Sequence, residues 1–378
     1  MTWKLAPLPP SCEIETREVL RKVASAHRYL AELKGVSRSI PNQAVLINSL
    51  SLQEAKDSSA VENIVTTHDE LYRDSLFPDL PDSAAAKEVS RYAAALKEGY
   101  ELVRANGLLT CNHVLAVQAA VEGNPAGFRR QPGAELRNDQ TGDTIYVPPQ
   151  HPDEVRALMA NLELYINDDE VGPTDPLVRM AVIHYQFESI HPFYDGNGRT
   201  GRILNVLYLV RSGLLDIPVL YLSRRIIRTK TEYYRALQDV RDHGAWQAWV
   251  LYMLDVVEET ARHTIRLVTR IDAAMTDYKR RIRSEQSRLY SHDLIACLFM
   301  HPYTSIAFIQ RDLGVGRATA AKYLDTLTEG GFLAKHRVGA FQLLCQSGAL
   351  RHPGAPGARG ACTMRDAVAN PTGACGGG

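Results

Sequence analysis

The stretch from Leu177 to Arg202 constrains this chain most, because it encodes a helix, a stop and a second helix start in quick succession. Leu177, Ala181, His184 and Phe187 recur at helical spacing, and Pro192 ends the pattern, so His191 falls at a helix end. Gly196-Asn197-Gly198 then offers backbone conformations closed to most residues with side chains and opens a new helix near Gly198. The free N–H groups and positive dipole end of that helix would meet an anion, and a polyphosphate fits there. Arg199 and Arg202, at i and i+3, would share a face of its first turns and hold further phosphate oxygens. Cations there oppose the dipole, a cost that an anionic ligand explains better than helix stability does.

At 378 residues the chain has room for two or three compact units. Lys plus Arg equals Asp plus Glu at 43 each, so no global charge draws it to nucleic acid or an anionic membrane. Six scattered cysteines without a Cys-x-x-Cys pair suggest neither a zinc site nor a disulfide framework, which suits a reducing cytoplasm. The N-terminal residues read neither as a signal peptide nor as a membrane span, and the expectation is a soluble cytoplasmic protein with no membrane partner. Helical periodicity dominates from Glu15 to about Ala105. It resumes over 153–167, 175–190, 229–241 and Ala245 to about Arg283, which makes the fold mainly α. Between Gly123 and Pro152 a Gly, Pro, Asn and Asp texture surrounds one alternating run, Thr144-Ile145-Tyr146-Val147, read as a hairpin or flap.

Two further groups beside the glycine turn supply what phosphoryl chemistry needs. Asp195 can hold Mg²⁺ or Mn²⁺ against phosphates, and His191 can take a proton from an attacking hydroxyl. Each residue alone is an ordinary feature of a helix–turn–helix joint. The density of base, acid, glycine turn and two arginines within 191–202 is what points to phosphate handling.

This segment resembles the signature of the Fic family, His-Pro-Phe-x-Asp/Glu-Gly-Asn-Gly-Arg-x-x-Arg, and matches it at every fixed position. The resemblance runs from about residue 15 to 260 and implies a Fic-type helical bundle with a β-hairpin flap. It implies a protein adenylyltransferase moving AMP from ATP to a Ser, Thr or Tyr hydroxyl of a protein target and of itself. His191 would be the base and Asp195 the metal ligand. Gly196, Asn197, Gly198, Arg199, Thr200, Gly201 and Arg202 would bind ATP, with Arg202 nearest the γ-phosphate. Phe193 would anchor the loop, and residues 141–149 would align the target chain by strand pairing through Thr144, Ile145, Tyr146 and Val147. Tyr233 would line the adenine pocket, while Arg241 stands where the family often has Asn. Upstream, Ser58-Ser59-Ala60-Val61-Glu62-Asn63 is similar to the family's inhibitory motif, Ser/Thr-x-x-x-Glu-Gly/Asn. A Glu62 carboxylate reaching Arg202 would occupy the arginine meant for the γ-phosphate and leave ATP misaligned. Homodimerisation is common among relatives.

Past Ser284 the order helix, helix, turn at Gly314-Val315-Gly316, helix, Gly330-Gly331 and two strands reads as a small winged helix-turn-helix. Arg317, Thr319 and Lys322 would face DNA, with Ile309, Leu313, Leu324 and Leu327 as its core. The expected organisation is an N-terminal helical region over 1–105 with the inhibitory helix near 55–66, a catalytic core over 106–262 and a connecting helix over 263–283. A winged-helix domain over 284–345 and a disordered tail over 346–378 complete it. Two alternatives stay open: a DNA-binding regulator with the Fic unit as sensor, and an enzyme that removes AMP using a water oriented by Glu62.

Overall fold

The structure is a computed structural model that describes residues 4–66, 84–137, 141–300, 303–338 and 341–346. The chain divides into two compact units, residues 1–34 with 51–262 and residues 35–50 with 263–378. Of the N-terminal helical region expected over 1–105, residues 1–34 and 51–105 fall in the unit that holds the 191–202 segment and residues 35–50 in the other.

In chain order the helices are α1 (Arg17–Ser39), α2 (Ala44–Val61), α3 (Ala84–Asn106) and α4 (Cys111–Glu122). A short antiparallel pair follows, β1 (Leu136–Arg137) and β2 (Thr144–Tyr146), and then α5 (Pro152–Asn167), α6 (Pro176–Ile190) and α7 (Asn197–Arg211). After these come α8 (Ser223–Arg228), α9 (Lys230–His243) and α10 (Trp246–Glu285). The centre of the first unit is the α6–α7 pair. Helix α7 also packs on α3 and α4, and α6 on α5.

Helix α6 is buried from Leu177 to Ile190 except at Glu188, and α7 from Asn197 to Leu209 except at Gly198. The sequence suggested a single apolar stripe on α6, but a helix packed on all sides needs apolar residues all round. Local chemistry sets the ends. Asp175 Oδ1 accepts the Leu177 N–H at 2.8 Å with Pro176 in the first turn, the arrangement that best starts a helix. Buried Trp249 on α10 donates its indole N–H to the Ala181 carbonyl at 2.8 Å, and Tyr252 is buried beside it while Trp246 is only half-buried.

In the second unit lie α11 (His292–Met300), β3 (Tyr303–Thr304), α12 (Ile306–Leu313), α13 (Arg317–Glu329), β4 (Leu333–Val338) and β5 (Phe341–Gln346). The strands form one antiparallel sheet in the order β3-β5-β4. Leu294, Leu298, Ile309, Leu324, Leu327 and Phe332 form its core, whereas Leu313 is half-buried. Strand β3 escapes a reading by alternation because two residues carry no period. Gln346 ends β5 instead of opening the tail, and 347–378 lies outside the described residues. Among the described residues no helix is long and apolar enough to cross a membrane.

Candidate active site

The site is built where α6 stops and α7 starts. His191 caps α6 in the left-handed conformation, φ 47° and ψ 60°, with its N–H on the Phe187 carbonyl at 3.0 Å. A non-glycine residue is uncommon there and costs energy, so the packing around it must hold it. Arg129 does so. Its Nε donates to the His191 carbonyl at 2.8 Å, its Nη2 reaches the Ile190 and Pro149 carbonyls, and its own N–H donates to the Pro192 carbonyl at 2.9 Å. Burial, reinforced by the Arg129 charge, pushes the His191 imidazole down to about 4, against the opposing pull of Glu62. The ring is therefore neutral at pH 7, the form that accepts a proton.

The turn itself is tied internally. Asn197 Oδ1 accepts the Phe193 N–H at 2.8 Å and its Nδ2 donates to the Phe193 carbonyl at 2.9 Å. The Asn197 side chain is thus a loop clamp, and its backbone N–H is what it offers an anion. Phe193 is buried against Phe128 and Phe187, with centroids 5.4 and 6.3 Å away. Gly196 takes φ 76°, and a Cβ there would meet Glu122 Oε1 at 2.5 Å. Among the described residues no side chain caps α7. Its dipole end is met instead by two carboxylates: Glu122 beside Gly196, and Glu62, whose Oε1 a Cβ on Gly198 would overlap.

Both arginines of α7 are engaged by protein. Arg202, 1 % exposed, donates Nε to Ser58 Oγ at 2.7 Å, and Nη2 to the Ser58 carbonyl at 3.0 Å and Glu62 Oε1 at 2.8 Å. Burial raises the Glu62 pKa, but the Arg202 charge and hydrogen bond outweigh it and the net shift is downward. Helix α2 ends at Val61, so Glu62 sits in the closing turn with its N–H on the Ser59 carbonyl at 3.0 Å, and Asn63 is left-handed at φ 64°. Arg199 reaches Glu122 Oε1 at 2.7 Å, Glu88 Oε2 at 3.2 Å and Asp195 Oδ1 at 3.7 Å. Three carboxylates thus offset the cost of this cation at the helix start, beside the anionic ligand that the sequence suggests.

Three more of the residues expected to contact ATP pack into the core. Thr200 is buried, and the space beside Gly201 is filled by Glu188 Oε1 and the Phe187 ring, because α7 already lies in the core there. Tyr233 is 1 % exposed, its hydroxyl 2.8 Å from His184 Nε2 and its ring against Trp249, so it packs in the core. Its neighbour Tyr234 is the exposed one of the pair. His184, with its pKa pushed down to about 3 by burial, is a core histidine, as read from the sequence.

The flap pairs Leu136 with Tyr146 and Arg137 with Thr144. Thr144, Ile145 and Val147 are exposed, whereas Tyr146 turns inward. Its hydroxyl donates to the Ser189 carbonyl at 2.7 Å and Arg241 lies over its ring at 3.9 Å. Tyr146 therefore anchors the flap to α6, and Arg241 finds its use there. Asp195 is 79 % exposed, with Oδ1 accepting the Gly196 N–H at 2.7 Å. One exposed carboxylate beside an anion-ready helix end fits a hard cation shared with phosphate oxygens. Sequence reasoning missed Arg129, Glu88 and Glu122, which lie outside any motif and meet the turn only through folding.

Residues 20–101 match the Fic/DOC family N-terminal model, 108–209 the Fic/DOC family model, and 274–347 the Protein adenylyltransferase SoFic-like, C-terminal domain model. Protein adenylyltransferase Fic of Aedes aegypti is 31% identical over 159 residues, 42% of this chain and 30% of that protein. Protein adenylyltransferase fic-1 of Caenorhabditis elegans is 33% identical over 127 residues, 34% of this chain and 22% of that one. The matches thus span less than a third of those relatives' length. A Fic family protein from Desulfovibrio desulfuricans G20 shares the fold with a TM-score of 0.57 at 21% identity, over 90% of this chain and 99% of that chain. Fic-1 from C. elegans does so with a TM-score of 0.52 at 22% identity, over 67% and 73%. With the signature at the joint of two buried helices and family models matching on both sides of it, the chain belongs to the Fic/DOC family.

Proposed function

We propose that this protein is an adenylyltransferase that moves AMP from ATP to a hydroxyl of a protein target and of itself, and that Glu62 restrains it. The observation that carries this reading is the Glu62 carboxylate at the start of α7, between Gly198 and Arg202, because that carboxylate stands where a phosphate oxygen would. In the reaction the target hydroxyl oxygen attacks the α-phosphorus, the bond to the pyrophosphate oxygen breaks, and neutral His191 takes the hydroxyl proton. The N–H groups opening α7 steady the charge that develops on the phosphate oxygens. Arg202, once released by Glu62, holds the γ-phosphate. Arriving phosphates raise the His191 pKa from about 4 toward neutrality, which makes it a better base. Asp195 would hold Mg²⁺ or Mn²⁺ with the nucleotide, supplying charge neutralisation. Exposed Ile145 and Val147 on the flap suit a target chain laid alongside by backbone pairing.

The test is transfer of label from ATP labelled at the α-phosphate. His191→Ala should abolish it and Glu62→Gly should raise it above wild type; equal labelling of all three proteins would refute the reading. A second reading, DNA binding, draws on Arg317, Thr319 and Lys322, all exposed on α13. Gel-shift titration across salt should then show binding that weakens as salt rises, and no shift at low salt would dismiss it.

A further inference from the structure

Two turns before Glu62, α2 carries a carboxyl group with no place in the chemistry above. Glu54 is 0 % exposed. Its Oε1 accepts from the Tyr92 hydroxyl of α3 at 3.2 Å and from the Ser223 hydroxyl, and its Oε2 accepts the Ser223 N–H at 3.2 Å, at the start of α8. Burying an acid is costly unless its oxygens are satisfied, so a core position that keeps one needs a reason beyond packing.

The geometry supplies the reason. Glu54, Ser58 and Glu62 follow one another at i, i+4 and i+8 along α2 and its closing turn. The first grips α3 and α8, and the other two grip Arg202 on α7. Tyr92 also lies beside Ser58, so the two grips share a side chain. We infer that Glu54 is a positioning residue for the restraint: by holding Ser223 and Tyr92 it sets where α2 delivers Ser58 and Glu62 onto Arg202. This inference rests on the reading of Glu62 as an inhibitor.

Burial raises the Glu54 pKa to about 8, so the group is largely protonated at pH 7. Asp57 on its own helix adds to this, while Ser223 and the Arg202 charge oppose it; Tyr92 and Tyr221 are the other titratable groups nearby. A protonated Glu54 donates to one hydroxyl and still accepts the Ser223 N–H. Glutamine can reproduce that pattern, with its carbonyl on the N–H and its amide on the hydroxyls. Leucine fills the space and offers no acceptor.

The experiment compares AMP transfer by wild type, Glu54→Leu, Glu54→Gln, Glu62→Gly and the Glu54→Leu/Glu62→Gly double variant, each confirmed folded by thermal denaturation. Glu54→Leu should raise labelling by roughly three- to tenfold, as loss of a buried hydrogen-bonded anchor would. Glu54→Gln should stay at the wild-type level, and the double variant should not exceed Glu62→Gly, since both changes remove one restraint. Tyr92→Phe and Ser223→Ala carry the same test with gentler changes if Glu54→Leu does not fold, each raising labelling. Should these variants label at or below wild type while Glu62→Gly is strongly labelled, Glu54 is core packing and the inference falls. Should Glu62→Gly itself label no more than wild type, the inhibitory reading fails and takes this one with it.

Discussion

Helix α7 carries two arginines three residues apart, both buried and both held by carboxylates, yet the two clamps differ in kind. Arg199 is held by Glu122 and Glu88, from α4 and α3, with Asp195 nearby. Both helices pack against α7 along their length, so that clamp is a seam of the bundle. Among the described residues the hydrogen bonds to Arg202 come from Ser58 of α2 and from Glu62 just past its end, whose side chain is 34 % exposed, as is that of Glu88. Glu122 and Glu88 come from two helices that both pack on α7, whereas Ser58 and Glu62 come from one segment, the end of α2 and its closing turn, so a shift of that single segment would release Arg202. One signature thus contains an arginine held from two helices and an arginine held from a single segment, the one on which the proposed restraint acts.

The largest expected effect breaks that contrast directly. In a Glu62→Gly background, Arg202→Ala should cut AMP transfer by about 10²- to 10³-fold, the usual loss when one donor to transition-state charge is removed. Unchanged transfer would mean that Arg202 is structural like its neighbour. Next, Arg199→Leu should lower folding stability by about 3 kcal/mol, measured by denaturant unfolding, because it leaves Glu122 and Glu88 facing each other uncompensated. A variant as stable as wild type would dissolve the distinction from the other side.

A smaller effect separates the clamps by pH. Burial, with Asp195 and Glu88 as like charges, raises the Glu122 pKa despite Arg199, whereas Arg202 lowers that of Glu62. Stability from Glu62 is thus present above its unfolded value near 4.5 and lost as pH falls, while the Glu122 contribution is lost as pH rises past 4.5. Carboxyl chemical shifts should show Glu62 titrating below its ordinary range and Glu122 above it; the reverse order would be incompatible with the clamps described.

The smallest effect is on the whole chain. His184 and His191, pushed down to about 3 and 4, favour the folded state fully only above pH 6.5 and lose that contribution on acidification. Glu188 and Glu54, pushed up to about 7 and 8, lose theirs as pH rises from 4.5. These four groups offset one another between pH 4.5 and 6.5, where the raised Glu122 and Asp57 are left to make the melting temperature decline gently as pH rises, and it should fall more steeply outside that window.

Much of the site was legible at the level of residue type and spacing. The stop at Pro192, the left-handed Gly196, the helix-ending His191 and the Glu62 contact with Arg202 all follow from local chemistry or from a motif that encodes it. What misled the reading was facing. Tyr233 and Tyr234 are indistinguishable as a pair in sequence, and only the rotation of α9 against α10 buries the first. Tyr146 reads as one more residue of an alternating run until its hydroxyl is seen on the Ser189 carbonyl. Thr200 and Gly201 lie inside a contiguous motif, and only the packing of α7 shows that both are buried.

By itself, then, the sequence determined the order of helices, the glycine turn, the base and the acids, because backbone conformation and ionisation are set over a few residues. Only the tertiary structure gave Arg199 its carboxylate partners, Glu122 and Glu88. It also placed Glu54, Glu122 and Arg129 at the site at all, because a buried charge is settled by whichever distant groups fold up against it.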